Sequence, residues 1–334
     1  MRQEVQFETP VPAIRDRVVQ GALRFILEPI VEPDFSDSYF GAHPRRSAHE
    51  AIEKVRTGLR RRRHRVVDLD LSRYFDSIRH DRMLTKVARR ISDGQVLAMV
   101  KQFLKSTGKL CVPQGSRLSP LLANLALNDL DHILDRGSGF ITYARYLDDM
   151  VVLAPDSEKG KAWTDRALAR IRREAEAIGV SLNTEKTRIV TITDEHAVFA
   201  FLGFEFRWVP SKKIGRWYPC TTPRPKNVTA VLRKVRDSLR INRHLSVQAA
   251  VALVNLIIRG WVNYFKVGNS SQAFHKVQYH VERKVRRFAA KQRKRTGFGW
   301  KRWSSEVVYG SWGLFRDYRL VYASANARTD PTES

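Results

Sequence analysis

The chain has 334 residues, 43% of them hydrophobic and 10% aromatic, a composition that excludes a disordered protein and allows two or three domains. Its 60 Lys and Arg against 34 Asp and Glu leave a net charge of +26, which favours a nucleic-acid partner over a merely basic soluble protein or a membrane-surface protein. Cys111 and Cys220 form no CxxC pair, which excludes a disulfide framework and a zinc site built on cysteine pairs, so the cytoplasm is the expected compartment.

The chain starts with two predicted helices. Apolar residues recur at helical spacing over 15–30 and stop near two prolines, and a second, basic helix is predicted over 48–63. Residues 1–10 lack the basic and then apolar pattern of a signal peptide, so we do not expect secretion.

The segment HRVVDLDLSRYF predicts a strand with one apolar and one acidic face. Val67, Leu69 and Leu71 alternate with Asp68 and Asp70, at the period of two that is typical of a half-buried strand. An acidic strand face is unusual, and this makes Asp70 a candidate functional residue.

A helical stretch over 79–106 is followed by a better defined helix. Ser119 is predicted to cap that helix, Pro120 to occupy its first position and Gly137 to lie just past its end.

The next segment, FITYARYLDDMVVLA, predicts two short strands joined by a tight, solvent-facing turn that carries Asp148 and Asp149. A helix over 158–178 and strands near 187–193 and 199–208 come next. This order of strand, helix, hairpin, helix and strand resembles the split βαβ arrangement of many polymerase palms, which predicts an α+β fold. Asp70 would then lie beside the hairpin.

The remainder of the chain has a different character. The proline-rich residues 210–225 predict a linker, and Asn227, Ser246 and Ser270 or Ser271 look like caps for helices over 226–295. The most apolar run, 249–258, is about half the length of a membrane span, so no membrane contact is expected.

A basic run follows, with ten Lys and Arg and no acidic residue between Arg283 and Arg302, and it predicts either a surface that binds phosphates or a frayed tail. The residues of this run that we expect to bind nucleic acid are Arg283, Lys284, Arg286, Arg287, Lys291, Arg293, Lys294 and Arg295.

Three aspartates have the chemistry that nucleotidyl transfer needs. Two cations about 3.5–4 Å apart, held by shared carboxylates, activate the attacking hydroxyl and neutralise the leaving pyrophosphate. Asp70 with Asp148 and Asp149 supplies the hard oxygen ligands that Mg²⁺ prefers. Each motif alone has an ordinary explanation, because paired aspartates are common in turns and an aspartate on a strand guards sheet edges.

The motifs together resemble those of reverse transcriptases, specifically the group II intron-encoded type, often called maturases. The similar blocks are DLDLSRYFDSIRHD (68–81), PQGSRLSPLLANLALNDLD (113–131), YARYLDDMVVLA (143–154), and GVSLNTEKTRIV with FLGFEF (179–206). The segment RGWVNYFKVGNSSQAFHKVQYHVERKVRRFAAKQRKR (259–295) is similar to the maturase-specific thumb. Upstream, RDRVVQGALRFILEP and RRSAHEAI resemble fingers blocks.

The resemblance implies a right-hand polymerase fold with fingers at 1–65, a split βαβ palm at 66–215, a helical thumb at 226–300 and a C-terminal tail at 301–334. It also implies an RNA-directed DNA polymerase that extends a DNA primer on an RNA template with dNTPs and binds a structured, intron-like RNA.

The catalytic residues implied by the resemblance are Asp70, Asp148 and Asp149, which would hold two Mg²⁺ ions, with Mn²⁺ as a substitute. Lys186 in TEKT matches a lysine proposed to protonate the leaving pyrophosphate, although a lone lysine is more often a solvated cation. Asp68 is either a supporting residue behind the metal ligands or a residue of the fold, and both interpretations stay open.

The nucleotide-binding residues are also implied by the resemblance. The backbone carbonyl of Leu71 would be a further metal ligand, and Phe75 would lie under the sugar, unless it is a core aromatic. Gln114 would contact the nucleotide or template. Arg46 and Arg17 would grip the triphosphate, or belong to a solvated basic face.

Several features depart from the family pattern. The fingers loop SYFGAHPRRSAH replaces the usual SYGFRPGRSAH, so His43 stands where an arginine is expected and one residue is inserted. The sequence starts within the first fingers block, as expected for a truncated gene, a remodelled fingers domain or a start that lies upstream. Leu147 takes the place of a small residue in the YxDD motif. No nuclease domain with cysteine pairs follows the thumb, so DNA cleavage is not expected.

Two other functions stay open. The chain could be a non-catalytic splicing maturase that binds RNA and keeps the palm as a scaffold. It could also be a domesticated reverse transcriptase in phage defence or mutagenesis, for which the RNA is unrelated to splicing. Primer extension separates the first alternative from an active polymerase.

Overall fold

A computed structural model describes residues 13–72, 74–105, 112, 116–137, 139–211 and 215–321. The chain forms two compact units, the first reaching Leu202 and the second starting at Gly203. Within the described ranges, no helix is both long enough and apolar enough to cross a membrane.

Helices form most of the first unit: α1 (Ile14–Val31), α2 (Ala48–Arg60), α3 (Tyr74–Ser77), α4 (His80–Ala88), α5 (Gly94–Lys105), α6 (Ser119–Asp135) and α7 (Glu158–Ala177). Helix α2 starts with a capping box, in which the Ser47 hydroxyl accepts the N–H of Glu50 and the Glu50 carboxylate accepts the N–H of Ser47. Ser157 caps α7 by accepting the N–H of Gly160. Gly179, at φ +87°, lies just past the end of α7, in a conformation that favours glycine.

An antiparallel sheet runs through the first unit. Its strands are β1 (Arg65–Ser72), β2 (Thr142–Tyr146), β3 (Asp149–Ala154), β4 (Ser181–Leu182) and β5 (Arg188–Thr191). The order is β2, β3, β1 and β4, and β5 pairs with the opposite end of β1 from β4. This is the order of a split βαβ fold, which confirms the predicted α+β class. A short strand, β6 (Phe199–Phe201), ends the unit.

The core of the first unit lies under β1. Val67, Leu69 and Leu71 are at most 3% exposed, as the alternating pattern predicted, and they belong to one cluster with the apolar residues of α6 and α7. Burying each such side chain contributes about 1.5–3 kcal/mol. Val66 is also buried, so both faces of β1 are covered near its start and the acidic face is confined to the end that carries Asp70.

The second unit combines a hairpin with three long helices. The hairpin strands are β7 (Phe204–Pro210) and β8 (Trp217–Pro223), and the helices are α8 (Pro225–Ile241), α9 (Val247–Phe265) and α10 (Ser271–Gln292). The helices pack against one another pairwise. Their shared core includes Val235, Val254, Ile258, Val281 and Val285, all fully buried. The predicted helical region over 226–295 is therefore confirmed.

Two predicted helix caps are wrong, and a third is right only in position, because Ser270 is the N-cap of α10 but its hydroxyl donates to the carbonyl of Phe265. Ser119 lies in the first turn of α6, behind Leu118 in the N-cap position, and no side chain caps that helix. Asn227 lies inside α8, where its side-chain amide donates to the carbonyl of Gly203 over 2.8 Å. Ser246 does cap α9, by accepting the N–H of Ala249.

The predicted linker over 210–225 is also wrong for most of its length, because it contains β8. The register pairs Pro219 with Trp208 and Pro223 with Phe204. Prolines lower the strand propensity of a sequence, and here pairing with β7 overrides that local preference.

Candidate functional site

Asp70 and Asp149 lie opposite each other on neighbouring strands. The antiparallel register of β1 and β3 pairs Asp70 with Asp149, and Asp149 also pairs with Tyr146 across the β2–β3 hairpin. Asp148 belongs to the turn between these two strands. The prediction that the acidic strand lies beside the hairpin is therefore confirmed, and three carboxylates come from one end of the sheet.

The hairpin turn is half-buried, which differs from the solvent-facing turn that the sequence predicted. Burial, and then the charges of Asp68, Asp148 and Asp70, raise the pKa of Asp149 to about 7. The backbone N–H of Leu202 works against this rise by donating to Asp149 Oδ2 over 3.4 Å. Negative charge is thus concentrated where water is partly excluded, an arrangement that a bound cation would stabilise.

Two cationic side chains reach the acidic face of β1 from the segment after β4. Lys186 Nζ lies 3.2 Å from Asp70 Oδ2. The loop places Lys186 through its backbone N–H, which donates to Asn183 Oδ1 over 3.2 Å. Arg188, on β5, donates to Asp68 Oδ2 over 3.1 Å. The structure therefore brings Lys186 to Asp70 and gives Asp68 an ion pair across neighbouring strands.

The donor set suits a hard divalent cation, because it consists of carboxylate oxygens at a site of concentrated negative charge. Among the described residues, however, no group of three or more His, Cys, Asp or Glu side chains is already arranged to hold a metal ion. Asp70 is engaged by Lys186 instead. The residues fit a cation in charge and chemistry, and their side chains must rotate to enclose it.

Leu71 and Phe75 lie close in sequence to Asp70, and the side chains of both contact the core cluster. Leu71 is 3% exposed and pairs with Leu182 of β4. Phe75, in α3, is half-buried against the core cluster, with its ring 5.4 Å from that of Tyr74. Gln114, predicted to contact the nucleotide or template, lies outside the described residues.

Arg46 holds the fingers loop together. Its guanidinium donates to the carbonyl of Tyr39 over 2.8 Å, to the carbonyl of Ser36, and to Asp37 Oδ1 over 2.8 Å. His43, which departs from the family pattern, has a largely buried side chain 3.7 Å from Glu32. Burial and the charge of Arg46 lower the pKa of His43.

Arg17 lies on the exposed N-terminal part of α1. Arg17 is on α1 and Arg46 is in the loop before α2, so neither is on the strands that carry the aspartates, and their role as triphosphate ligands stays a prediction.

A buried charged pair behind the hairpin turn was missed by sequence reasoning. Arg145 of β2 and Asp131 of α6 form an ion pair in which both side chains are 0% exposed. The available signal was the presence of charged residues within two largely apolar segments, LANLALNDLD and ITYARY. Buried charges of this kind require a partner, so each predicts the other.

The second unit carries a basic groove between α8 and α10, with a volume of about 630 Å³. Its floor includes Leu239, Phe288 and Phe298. The cationic residues that line it are Arg236, Arg240, Arg243, Arg283, Lys284, Arg287 and Lys291. Four of these were predicted, whereas the three from α8 and the turn after it were missed, although RKVRDSLRINR carries them at helical spacing.

Crowding of positive charge in this basic groove is visible in Lys284. Burial, followed by the charges of Arg236, Arg283 and Arg287, lowers the pKa of Lys284. A polyanion in the groove would relieve this repulsion and favour the charged form.

Arg286 does not belong to this surface, which corrects its assignment to nucleic-acid binding. It is 2% exposed, lies 2.7 Å from Glu282 and donates to the carbonyl of Trp303 over 2.7 Å. It therefore stabilises the packing of the segment after α10. The predicted residues Arg293, Lys294 and Arg295 are exposed just past the end of that helix.

Comparison with known proteins agrees with these features. Residues 8–206 match the family model described as reverse transcriptase (RNA-dependent DNA polymerase), and residues 228–306 match the group II intron, maturase-specific domain. The protein YkfC of Escherichia coli is 31% identical over 283 residues, which cover 68% of this chain and 72% of that protein.

The group II intron-encoded protein LtrA of Lactococcus lactis subsp. cremoris is 35% identical over 131 residues. That match covers 36% of this chain and 22% of LtrA, so this chain spans only a small part of the longer relative. A telomerase structure from Candida albicans in complex with telomeric RNA aligns with 89% of this chain and 56% of the telomerase chain. The two are 12% identical with a TM-score of 0.48, a likeness too distant to carry a conclusion.

The matched reverse transcriptase model covers more than half of the chain, and a second model adds the helices that follow. The split βαβ sheet with its paired aspartates is accordingly the palm of a right-hand polymerase fold. This chain belongs to the reverse transcriptase family, in the branch that carries a group II intron maturase-specific domain.

Proposed function

We propose that this chain is an RNA-directed DNA polymerase of the group II intron type, which extends a DNA primer on an RNA template with dNTPs. The observation that carries the proposal is the register of Asp70 against Asp149, with Asp148 in the adjoining turn. Two Mg²⁺ ions bound there, or Mn²⁺ in their place, would activate the primer hydroxyl and neutralise the leaving pyrophosphate. The chain's own contribution is to supply and orient the three carboxylates.

Lys186 has a defined task in this proposal. Its Nζ lies 3.2 Å from Asp70 Oδ2, so the ammonium is held at the edge of the acidic site. With Asp70 serving as a metal ligand, Lys186 would be available to donate a proton to the leaving pyrophosphate. Asp68 would have an indirect role, because its ion pair with Arg188 compensates the negative charge of this fourth carboxylate.

The proposed domains follow one another along the chain. Residues 1–65 would be the fingers, 66–215 the palm, 226–300 the thumb, and 301–334 a tail. The basic groove between α8 and α10 would hold the backbone of a structured, intron-like RNA, with its cations set against phosphates. A cytoplasmic location stays a prediction.

Exposed aromatic residues beside the groove support RNA binding as well. The rings of Tyr279 and Trp300 are close to parallel, with centroids 6.3 Å apart, and the two residues are 52% and 46% exposed. Arg283 lies over the ring of Phe298 at 4.4 Å. Aromatic faces beside arginines are the usual platform for unpaired bases, which adds stacking to phosphate contacts.

A second candidate function is that of a non-catalytic maturase. The hydrogen bonds of Arg46 favour it, because they commit this predicted triphosphate ligand to carbonyl groups of its own loop. In that case the basic groove would bind RNA while the palm served as a scaffold.

Primer extension on an RNA template with dNTPs and Mg²⁺ separates the two functions. We expect wild-type protein to extend the primer, and Asp70→Asn and Asp148→Asn to abolish extension while RNA binding is retained, because each removes a negatively charged ligand. Asp165→Asn, a change of the same kind on the exposed face of α7, should leave extension intact. Tight RNA binding by wild-type protein without extension on several primed templates would establish the non-catalytic function.

A further inference from the structure

The ion pair behind the hairpin turn reaches the backbone of the turn itself. Arg145 Nε donates to Asp131 Oδ1 over 2.8 Å, and a second guanidinium nitrogen donates to Asp131 Oδ2. The third nitrogen donates to the carbonyl of Leu147 over 3.0 Å. Tyr143 adds its hydroxyl to Asp131 Oδ1 over 2.7 Å. The guanidinium therefore links α6 to the residue that precedes Asp148.

Leu147 needs such support because its backbone is in the left-handed region. Its φ is +57°, a value that glycine adopts freely and that is disfavoured for other residues by roughly 5- to 30-fold in population. The turn is also packed closely against Gly41, since a Cβ added there would come within 2.5 Å of the backbone nitrogen of Leu147.

Asn124 of α6 completes the surroundings of the turn. Its side-chain oxygen accepts from Arg145 over 3.4 Å, and its amide donates to the carbonyl of Gly41 over 3.4 Å. These side chains are all buried. The turn is therefore held by a connected polar network that is largely shielded from water.

We propose that Arg145 is a positioning residue for nucleotidyl transfer: it holds Leu147 in its left-handed conformation and thereby sets the direction in which Asp148 and Asp149 leave the turn. Asp131 fixes the guanidinium for this purpose. Only arginine suits the task, because its planar fork serves both carboxylate oxygens and a carbonyl at once, whereas lysine offers one nitrogen. The inference rests on the proposed polymerase function, because it assigns a role to a residue of the same site.

The chain offers a matched control in Arg63. It is also a buried arginine, 8% exposed, and it donates to the carbonyl groups of Gly139 over 2.9 Å and Ile141 over 2.5 Å. These contacts lie at the start of β2, at the opposite end of that strand from the turn. Arg63→Lys is therefore the same chemical change at another buried arginine, with a stability cost at the end of β2 that lies away from the turn.

The test compares full-length Arg145→Lys, Arg63→Lys and Arg145→Lys combined with Leu147→Gly. For each variant we measure steady-state DNA synthesis and the melting temperature. We also measure hydrogen exchange of residues 142–154 in the metal-free protein. For Arg145→Lys we expect kcat to fall about tenfold with KM for dNTP changed by less than about threefold, together with faster exchange at 147–149. Arg63→Lys should lower the melting temperature with kcat and exchange at 147–149 unchanged. Leu147→Gly should bring kcat of Arg145→Lys back to within about threefold of wild type, since glycine adopts this φ without strain.

Other results overturn the inference. The inference fails if Arg145→Lys has the kcat of wild-type protein and the same hydrogen exchange at the turn. It also fails if both lysine variants lose kcat and melting temperature in parallel, because Arg145 would then act only on stability. If wild-type protein synthesises no DNA, the proposed function fails, and hydrogen exchange still decides the positioning role. Faster exchange at 147–149 in Arg145→Lys alone supports it, and equal exchange in both variants refutes it.

Discussion

Asp149→Asn should stabilise the metal-free protein near pH 8 while abolishing DNA synthesis. Burial, and then nearby carboxylates, raise the pKa of Asp149 to about 7 in the folded chain, above its ordinary value of 3.8. Between these two pH values the folded state binds more protons than the unfolded state, so stability falls as pH rises through this window and the loss is complete above pH 7. Asparagine has the shape of the protonated carboxyl and carries no charge, so the variant escapes this loss.

The size of the effect follows from the shift. A change in pKa from 3.8 to about 7 is about 3 pH units, and each unit corresponds to about 1.4 kcal/mol, which gives an upper limit of about 4 kcal/mol. Because Asp149 is half-buried, water screens part of this energy, and we expect a gain of about 2 kcal/mol at pH 8 and almost none at pH 4.

Urea unfolding followed by circular dichroism, with chelator present, measures this difference from pH 4 to pH 8. Asp165→Asn, on the exposed face of α7, is the control and should change stability by no more than about 0.5 kcal/mol at any pH. Added Mg²⁺ should reduce the advantage of Asp149→Asn, because a cation that binds the folded wild-type chain stabilises it by mass action. An equal stability difference at pH 4 and pH 8 would refute the electrostatic explanation.

Substitutions at three further sites have distinct expected outcomes. Phe75→Ala should raise the ratio of rNTP to dNTP catalytic efficiency if the ring excludes a 2′-hydroxyl, whereas a fall in stability of roughly 3–5 kcal/mol with that ratio unchanged would make it a core residue. Lys186→Met should lower kcat for extension by about 100-fold with little change in KM, and Lys186→Arg should recover part of it; unchanged kcat would remove the lysine from proton transfer. Replacing Lys284, Arg287 and Lys291 together by alanine should weaken the salt dependence of binding to structured RNA. The slope of log K, the binding constant, against log salt should flatten by about 0.7 to 0.9 for each lost phosphate contact, and an unchanged slope would exclude the groove as the binding surface.

Local sequence patterns were sufficient to predict the strand and the hairpin that carry the aspartates. Alternation of Val67, Leu69 and Leu71 with Asp68 and Asp70 is a property of neighbours along the chain, and the structure confirms it in β1. The helices that follow the palm were also predicted, because their apolar spacing is local.

Tertiary structure decided the features that depend on partners distant in sequence. The residues of β8 carry prolines that argue against a strand, and pairing with β7 makes them one. Arg286 has the same local sequence context as Arg287, yet one is 2% exposed and the other lines the groove, because Trp303 and Glu282 bury the first.

The same division applies within the site. The strand and turn patterns made Asp70, Asp148 and Asp149 candidate metal ligands, and the family resemblance implied their catalytic role. The raised pKa of Asp149 and the support of Leu147 by Arg145 depend on burial and on contacts between separate elements. Local sequence preferences choose helix, strand or turn, whereas desolvation and the pairing of buried charges arise only when the chain folds and excludes water from around them.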